Sequence, residues 1–105
     1  MIPKKLRLRV AEFPRETPAA ANTEYFLLKV GKNNFGENRI GAVVSTKVSK
    51  SAVERNRLRR LALDELYSAA LASPKIEKSD LLLIFKPAAA GLSKEKLQSM
   101  LHKYV

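Results

Sequence analysis

The sequence predicts an α+β fold, a two-layer sandwich in which helices pack against a small mixed sheet. Three observations predict it. Residues 51–72 form one long, capped, amphipathic stretch. Three shorter runs, 24–30, 39–46 and 80–86, are rich in aliphatic and aromatic residues. A second, shorter amphipathic stretch covers residues 93–104.

The elements follow in order. A short helix is expected around residues 6–13, limited by Pro14 and Pro18 because proline cannot donate to a helix ladder. Ala19, Ala20, Ala21 and Asn22 read as a loop. The run EYFLLKV at 24–30 has strand composition, and so does RIGAVVST at 39–46. Between them, Asn33, Asn34 and two glycines read as a turn, so the two strands are expected to form an antiparallel hairpin.

The long helix starts at a cap. Ser51, Ala52, Val53 and Glu54 match the S-x-x-E capping box, in which serine and glutamate each satisfy a free backbone donor. Ser73 and Pro74 stop the helix. Leu58, Ala62, Leu66 and Ala69 fall on one stripe, the face to bury. Asn56, Arg57, Arg60 and Asp64 fall on the other side, with Arg55 and Arg59 flanking the stripe. The run DLLLIFK at 80–86 is almost wholly apolar, as a central strand covered on both faces requires. A helix joins it to the preceding strand, so the two should lie parallel. In the last helix Leu97, Met100, Leu101 and Tyr104 face inward.

At 105 residues, the chain is expected to be a single domain over residues 1–105. Hydrophobic residues make up 46%, enough for a modest core. No apolar run is long enough to span a membrane, and no secretory signal is visible. Cysteine is absent, which excludes disulfides and thiolate metal sites and fits a cytoplasmic location.

Charge carries the functional signal. The formal net charge is +10, and residues 1–15 and 45–60 hold net charges of +4 and +5. Concentrated positive charge is the footprint of a nucleic-acid site. Neither segment has the bulky apolar face that a membrane-surface helix needs. The densest stretch is Arg55, Asn56, Arg57, Leu58, Arg59 and Arg60. Arginine's planar fork suits bidentate phosphate contact. Just ahead stand Ser45, Thr46, Lys47, Ser49 and Lys50, hydroxyl and ammonium donors before a helix N-terminus that itself attracts anions.

Enzyme chemistry of the protein's own is poorly supported. His102 is the one histidine and reads as a surface residue. Asp64 and Glu65 are adjacent on a helix and do not converge on one ion. There is no Gly-rich phosphate loop. Phe13 is either a core aromatic or a stacking platform for single-stranded nucleic acid. Tyr25 and Phe26 are neighbours in a strand and point to opposite faces, so one should be core and the other can face a ligand.

The stretch GAVVSTKVSKSAVERNRLRRLALDE at 41–65 resembles the central signature of the protein subunit family of bacterial ribonuclease P, approximately G-x-S-V-S-K-K-V-G-x-A-V-x-R-N-R-x-K-R-x-x-R-E. Gly41, Ser45, Lys47, Val48, Arg55, Asn56, Arg57 and Arg60 match, and Arg59 is a conservative match. DLLLIFKP at 80–87 resembles that family's D-x-V-x-I-x-R-P strand. Residues 88–101 resemble its A-x-x-L-S-x-x-x-L-x-x-x-L tail, and residues 6–13 its L-R-x-x-x-x-F opening. Thr46, Ser49 and Leu63 depart from the pattern, where lysine, glycine and arginine are usual. Pro14 shortens the first helix, where the family continues with a second aromatic and more basic residues.

The resemblance implies an α-β-β-β-α-β-α order with a left-handed crossover, ribosomal protein S5 domain 2-like. Its third strand is too short for periodicity to place. It implies a protein that binds the catalytic RNA of ribonuclease P and the 5′ leader of precursor tRNA, supporting endonucleolytic removal of the leader. RNA carries the catalysis, with Mg²⁺ held mainly by RNA. Ser45, Lys47, Lys50, Arg55, Asn56, Arg57, Arg59 and Arg60 are then the catalytic-RNA contacts, and Phe13, Tyr25 and Arg9 the leader contacts. No membrane or small-molecule partner is implied. The alternative is a structural RNA-binding protein of ribosomal type without a processing role.

Overall fold

The computed structural model describes Arg7 and residues 19–32, 38–72 and 79–104. The helix expected at 6–13, with Arg9 and Phe13, lies outside the described residues, as do the turn residues 33–37 and Ser73 and Pro74. The described elements are β1 (Ala19–Asn22), β2 (Phe26–Lys32), β3 (Arg39–Val43), α1 (Ala52–Ala72), β4 (Ser79–Phe85) and α2 (Lys94–Leu101). A 3₁₀ turn (Pro87–Ala89) follows β4. The four strands form one mixed sheet in the order β1-β2-β4-β3.

The hairpin expected between β2 and β3 does not form. β4 lies between them, antiparallel to β2 from Phe26–Phe85 to Lys32–Ser79 and parallel to β3 from Arg39–Asp80 to Val43–Ile84. Burial explains the insertion. Leu81, Leu82, Leu83 and Phe85 are all buried, as in a central strand covered on both faces. The expected parallel pairing of the strands flanking α1 is present.

The hairpin of this chain comes earlier. Ala19–Asn22, read from sequence as a loop, is strand β1, antiparallel to β2. Alanine has little β-propensity, but Ala21 is buried at 6% exposure, and packing overrides propensity here. Thr23 makes the turn. Its Oγ1 accepts from the N–H of Tyr25 at 3.2 Å and of Phe26 at 3.1 Å.

The main core lies between the sheet and the helices. Phe26, Leu28, Ile40, Leu81, Leu83 and Phe85 meet Leu58, Ala62, Leu66 and Ala70 of α1 and Leu97 and Leu101 of α2. Ala70, not Ala69, continues the buried stripe of α1, because a spacing of four fits the 3.6-residue turn from Leu66. Leu82 looks to the other face with partly buried Val43 and Ile84. On that face Arg39 and Asp80 sit side by side on β3 and β4. They pair through Nε–Oδ1 at 2.9 Å and Nη2–Oδ2 at 2.8 Å.

Candidate nucleic-acid interface

Strand directions bring the basic segment at 45–60 to one end of the sheet. β3 ends at Val43 beside Ile84, and Phe85 at the end of β4 pairs with Phe26 at the start of β2. The loop after β3 therefore leaves the sheet at the same end as Tyr25 and Lys86. Val44 and Val48 are buried at 7% and 5% exposure and pin that loop to the core. Between them Ser45, Thr46 and Lys47 are exposed. The loop is a tight turn, with Val48 N–H donating to Ser45 O at 3.1 Å and Lys47 N–H to Ser45 Oγ at 3.3 Å.

Hydroxyls order the entry to α1. Ser51 N–H donates to Ser49 Oγ at 3.1 Å, and Glu54 N–H donates to Ser51 Oγ at 3.3 Å. The second half of the expected capping box is not made. Glu54 gives its carboxylate instead to the charged Arg57 fork and the Gly91 amide. Arg57 Nε and Nη2 donate to Glu54 Oε1 and Oε2 at 2.6 and 3.0 Å. Gly91 N–H donates to Oε2 at 3.1 Å. These bonds hold the Glu54 carboxyl down to about 2 from the ordinary 4.5, the Arg57 fork contributing most and the Gly91 amide next. The same ion pair raises the Arg57 guanidinium. Arg57 Nη2 also donates to Leu92 O at 3.1 Å. Glu54 and Arg57 thus clasp the segment around Gly91 and Leu92, far along the chain, onto the start of α1.

The predicted phosphate-binding residues consequently differ in what they have free. Lys47, Lys50, Asn56, Arg57 and Arg60 are exposed. Arg55 Nη1 donates to Ser49 O at 3.0 Å, which stiffens the loop and leaves the rest of a five-donor fork available. Arg59 Nη1 donates to Asn56 Oδ1 at 2.7 Å, leaving the Asn56 amide donors outward. Arg60 has no hydrogen bond or ion pair among the described residues. Arg57 is the one whose charge already faces a carboxylate.

Of the predicted leader contacts, Tyr25 alone is described. Of these two neighbours Phe26 is fully buried, and Tyr25 is half-buried, packed against the core with Lys96 Nζ 5.6 Å from its ring centroid. Lys86 joins the same end, its N–H donating to Tyr25 O at 2.8 Å and its Nζ to Asn22 Oδ1. Sequence reading missed Lys86 and Lys96. The available signal was the lysine closing the apolar run at 80–86 and the amphipathic spacing of α2.

The donors gathered here are ammonium, guanidinium, hydroxyl and backbone N–H groups, which suit phosphate oxygens. Cations do not ligate a metal ion, and among the described residues no three His, Cys, Asp or Glu side chains converge on one. Among the described residues, too, no helix is long and apolar enough to cross a membrane.

Comparison with known proteins gives concordant results. The family model described as Ribonuclease P matches residues 3–105. The ribonuclease P protein component of Synechococcus sp. (strain RCC307) is 41% identical over 92 residues, 88% of this chain and 65% of that protein. The ribonuclease P protein component of Pseudoalteromonas translucida is 34% identical over 86 residues, 82% of this chain and 59% of that one. The chain thus spans less than two thirds of either relative. In fold, the chain is similar to the Staphylococcus aureus RNase P protein, with a TM-score of 0.75, 23% identity and coverage of 94% of this chain and 91% of that one.

Proposed function

We propose, for a chain that belongs to the Ribonuclease P family, the work of that enzyme's RNA-binding protein subunit. Residues 1–105 act as one RNA-binding domain. Lys47, Lys50, Arg55, Asn56, Arg59 and Arg60, with the Ser45 hydroxyl, face the catalytic RNA. Arg57 sets the pose of the helix start through Glu54 and Leu92. Tyr25 faces the 5′ leader of precursor tRNA together with Arg9 and Phe13.

The observation that carries this reading is the gathering of cations at one end. Lys47 and Lys50 flank the N-terminus of α1 and its partial positive charge, and α1 carries the arginines. Arg57 and Glu54 tie that start to Gly91 and Leu92 ahead of Lys96, while Lys86 lies at the same end of the sheet. Such a surface lowers the repulsion between RNA strands that must approach each other, and it reads backbone and shape more than sequence. In this proposal catalysis belongs to the RNA, and Mg²⁺ is held by RNA phosphates, because the donors of this surface cannot ligate it. The setting is cytoplasmic. The β3–α1–β4 crossover is left-handed in the proposed ribosomal protein S5 domain 2-like arrangement, against the usual right-handed rule.

Precursor-tRNA cleavage at low Mg²⁺ tests this, with a bacterial ribonuclease P RNA, with and without the protein. Release of an intact 5′ leader should be stimulated only when both are present. RNA binding without stimulation, with the cognate RNA supplied, would leave only a structural RNA-binding role. Cleavage by protein and Mg²⁺ alone would refute the assignment of catalysis to RNA.

A further inference from the structure

One short link joins the end of β4 to the Ser93 cap of α2, and it lies against the start of α1. Few apolar side chains anchor this link at 87–93. Ala89 and Leu92 are buried, while Pro87, Ala88, Ala90 and Gly91 are exposed. Its polar ties come from α1. Gly91 N–H donates to Glu54 Oε2 at 3.1 Å. Arg57 Nη2, held by the same carboxylate, donates to Leu92 O at 3.1 Å. We infer that Glu54 is a positioning residue: it fixes this link, and through it the start of α2, so that the precursor is met in register with the catalytic RNA on α1. The inference rests on the RNA-binding reading above and adds to it a residue that touches neither RNA.

A carboxylate at the head of an arginine cluster otherwise works against phosphate binding. Glu54 occupies the Arg57 fork, and each free cation would add to the affinity for a polyanion. Nor is the carboxylate needed as a cap. Ser51 Oγ already accepts from Glu54 N–H at 3.3 Å, and Ser51 N–H donates to Ser49 Oγ. An acid in the first turn suits the helix dipole, but that requires no partner on another element. What Glu54 does hold is far along the chain. Its bond to Gly91 spans 37 residues, and the bond from Arg57 to Leu92 spans 35. The two fall on either side of the Gly91–Leu92 peptide bond, so the link is clamped at one point.

What the clamp positions is α2. Ser93 Oγ accepts from Lys96 N–H at 3.2 Å, and Ser93 O accepts from Leu97 N–H at 3.1 Å. The first turn of α2 therefore follows the link directly. Lys96 belongs to that turn, and its Nζ lies 5.6 Å from the Tyr25 ring centroid. Gly91, Leu92, Ser93 and Lys96 line one cleft with Tyr25. A shift of the link moves this wall and its cation relative to the arginines of α1, and misplacement by about 1 Å at a positioning contact is costly. Without the tie the aligned arrangement is one of several. Apparent affinity for the precursor then falls with the fraction of molecules that hold it.

The test compares Glu54→Ala with Glu54→Gln in the holoenzyme reconstituted from the full chain and a bacterial ribonuclease P RNA. Both variants remove the carboxylate that holds the Arg57 fork. Only glutamine keeps a carbonyl oxygen for the Gly91 amide. Single-turnover cleavage reads precursor affinity with a long single-stranded leader, and again with a leader of a single nucleotide. On the long leader Glu54→Ala should lose about 5-fold in affinity, the fold-change of one net hydrogen bond. Its cleavage rate at saturating precursor should be unchanged. Glu54→Gln should stay within about 2-fold of wild type. On the single-nucleotide leader all three should agree, which a merely destabilised protein would not show. Equal losses in Glu54→Ala and Glu54→Gln assign the effect to the charge and overturn the tie to Gly91. Equal losses on both leaders assign it to general destabilisation and overturn the positioning role. Unchanged affinity in Glu54→Ala overturns the inference while the RNA-binding reading stands. No stimulation of cleavage by the wild-type protein overturns that reading itself.

Discussion

The arginines of α1 should divide into one that orders the protein and others that meet phosphate. Arg57 and Arg60 are the contrast to test, since both are exposed on the same helix face. Arg57 holds two bonds to Glu54 and one to Leu92 O, and Arg60 holds none among the described residues. If each residue acts as the structure places it, Arg60→Ala removes one neutralised phosphate and flattens the log affinity–log salt slope by about 0.7–0.9. Over an about fourfold rise in salt, that is about a 3-fold relative change in affinity. Arg57→Ala should leave the slope nearly unchanged. Its cost falls on stability, about 1 kcal/mol, because a half-exposed ion pair is screened by water and salt. Glu54→Gln is the decisive third variant. It frees the Arg57 fork, so the slope should steepen by the same 0.7–0.9. Fluorescence anisotropy with ribonuclease P RNA over a salt series reads all three. The reasoning is refuted if Arg57→Ala flattens the slope as much as Arg60→Ala and Glu54→Gln leaves it where it was.

Two further outcomes follow from the same clasp. The folded-state pKa of Glu54 is depressed from 4.5 to about 2, so the folded state disfavours its protonation. The stabilisation is fully present above pH 4.5 and is lost as pH falls toward 2. Given the screening of a solvent-facing pair, the loss should be about 1 kcal/mol, read by urea denaturation, and Glu54→Gln should abolish that part of the pH dependence. Gly91→Ala meets open space around its new Cβ but keeps φ +78°. Backbone strain alone should then lower stability by about 1–2 kcal/mol, and an unchanged melting temperature would show that the segment relaxes out of the left-handed region.

The local features were legible in the sequence because their causes lie within a few residues. Ser51 caps α1 because its hydroxyl is three residues from the Glu54 amide. Leu58, Ala62 and Leu66 bury because their spacing matches the helical turn. The crowding of arginines onto the first turns of α1 needs only that periodicity. β4 was legible as a central strand because leucines on both of its faces leave no side for water. The parallel pairing of β3 with β4 followed from the helix between them.

What only the tertiary structure decided was non-local. β2 and β3 looked like a hairpin because they are neighbours in sequence, yet β4 separates them, since its burial on both faces outweighs a short connection. β1 was illegible because three alanines carry no strand signal until Ala21 finds its place against β2. Glu54 had a capping-box position, but the Arg57 fork and the Gly91 amide claimed its carboxylate, and Gly91 arrives from another part of the chain. The joining of Tyr25, Lys86 and Lys96 to the basic end of α1 has the same origin. Sequence by itself determined which residues are cationic, apolar or caps. Strand order determined which of them meet, because long-range pairing is settled by the burial of the whole sheet rather than by any window of the chain.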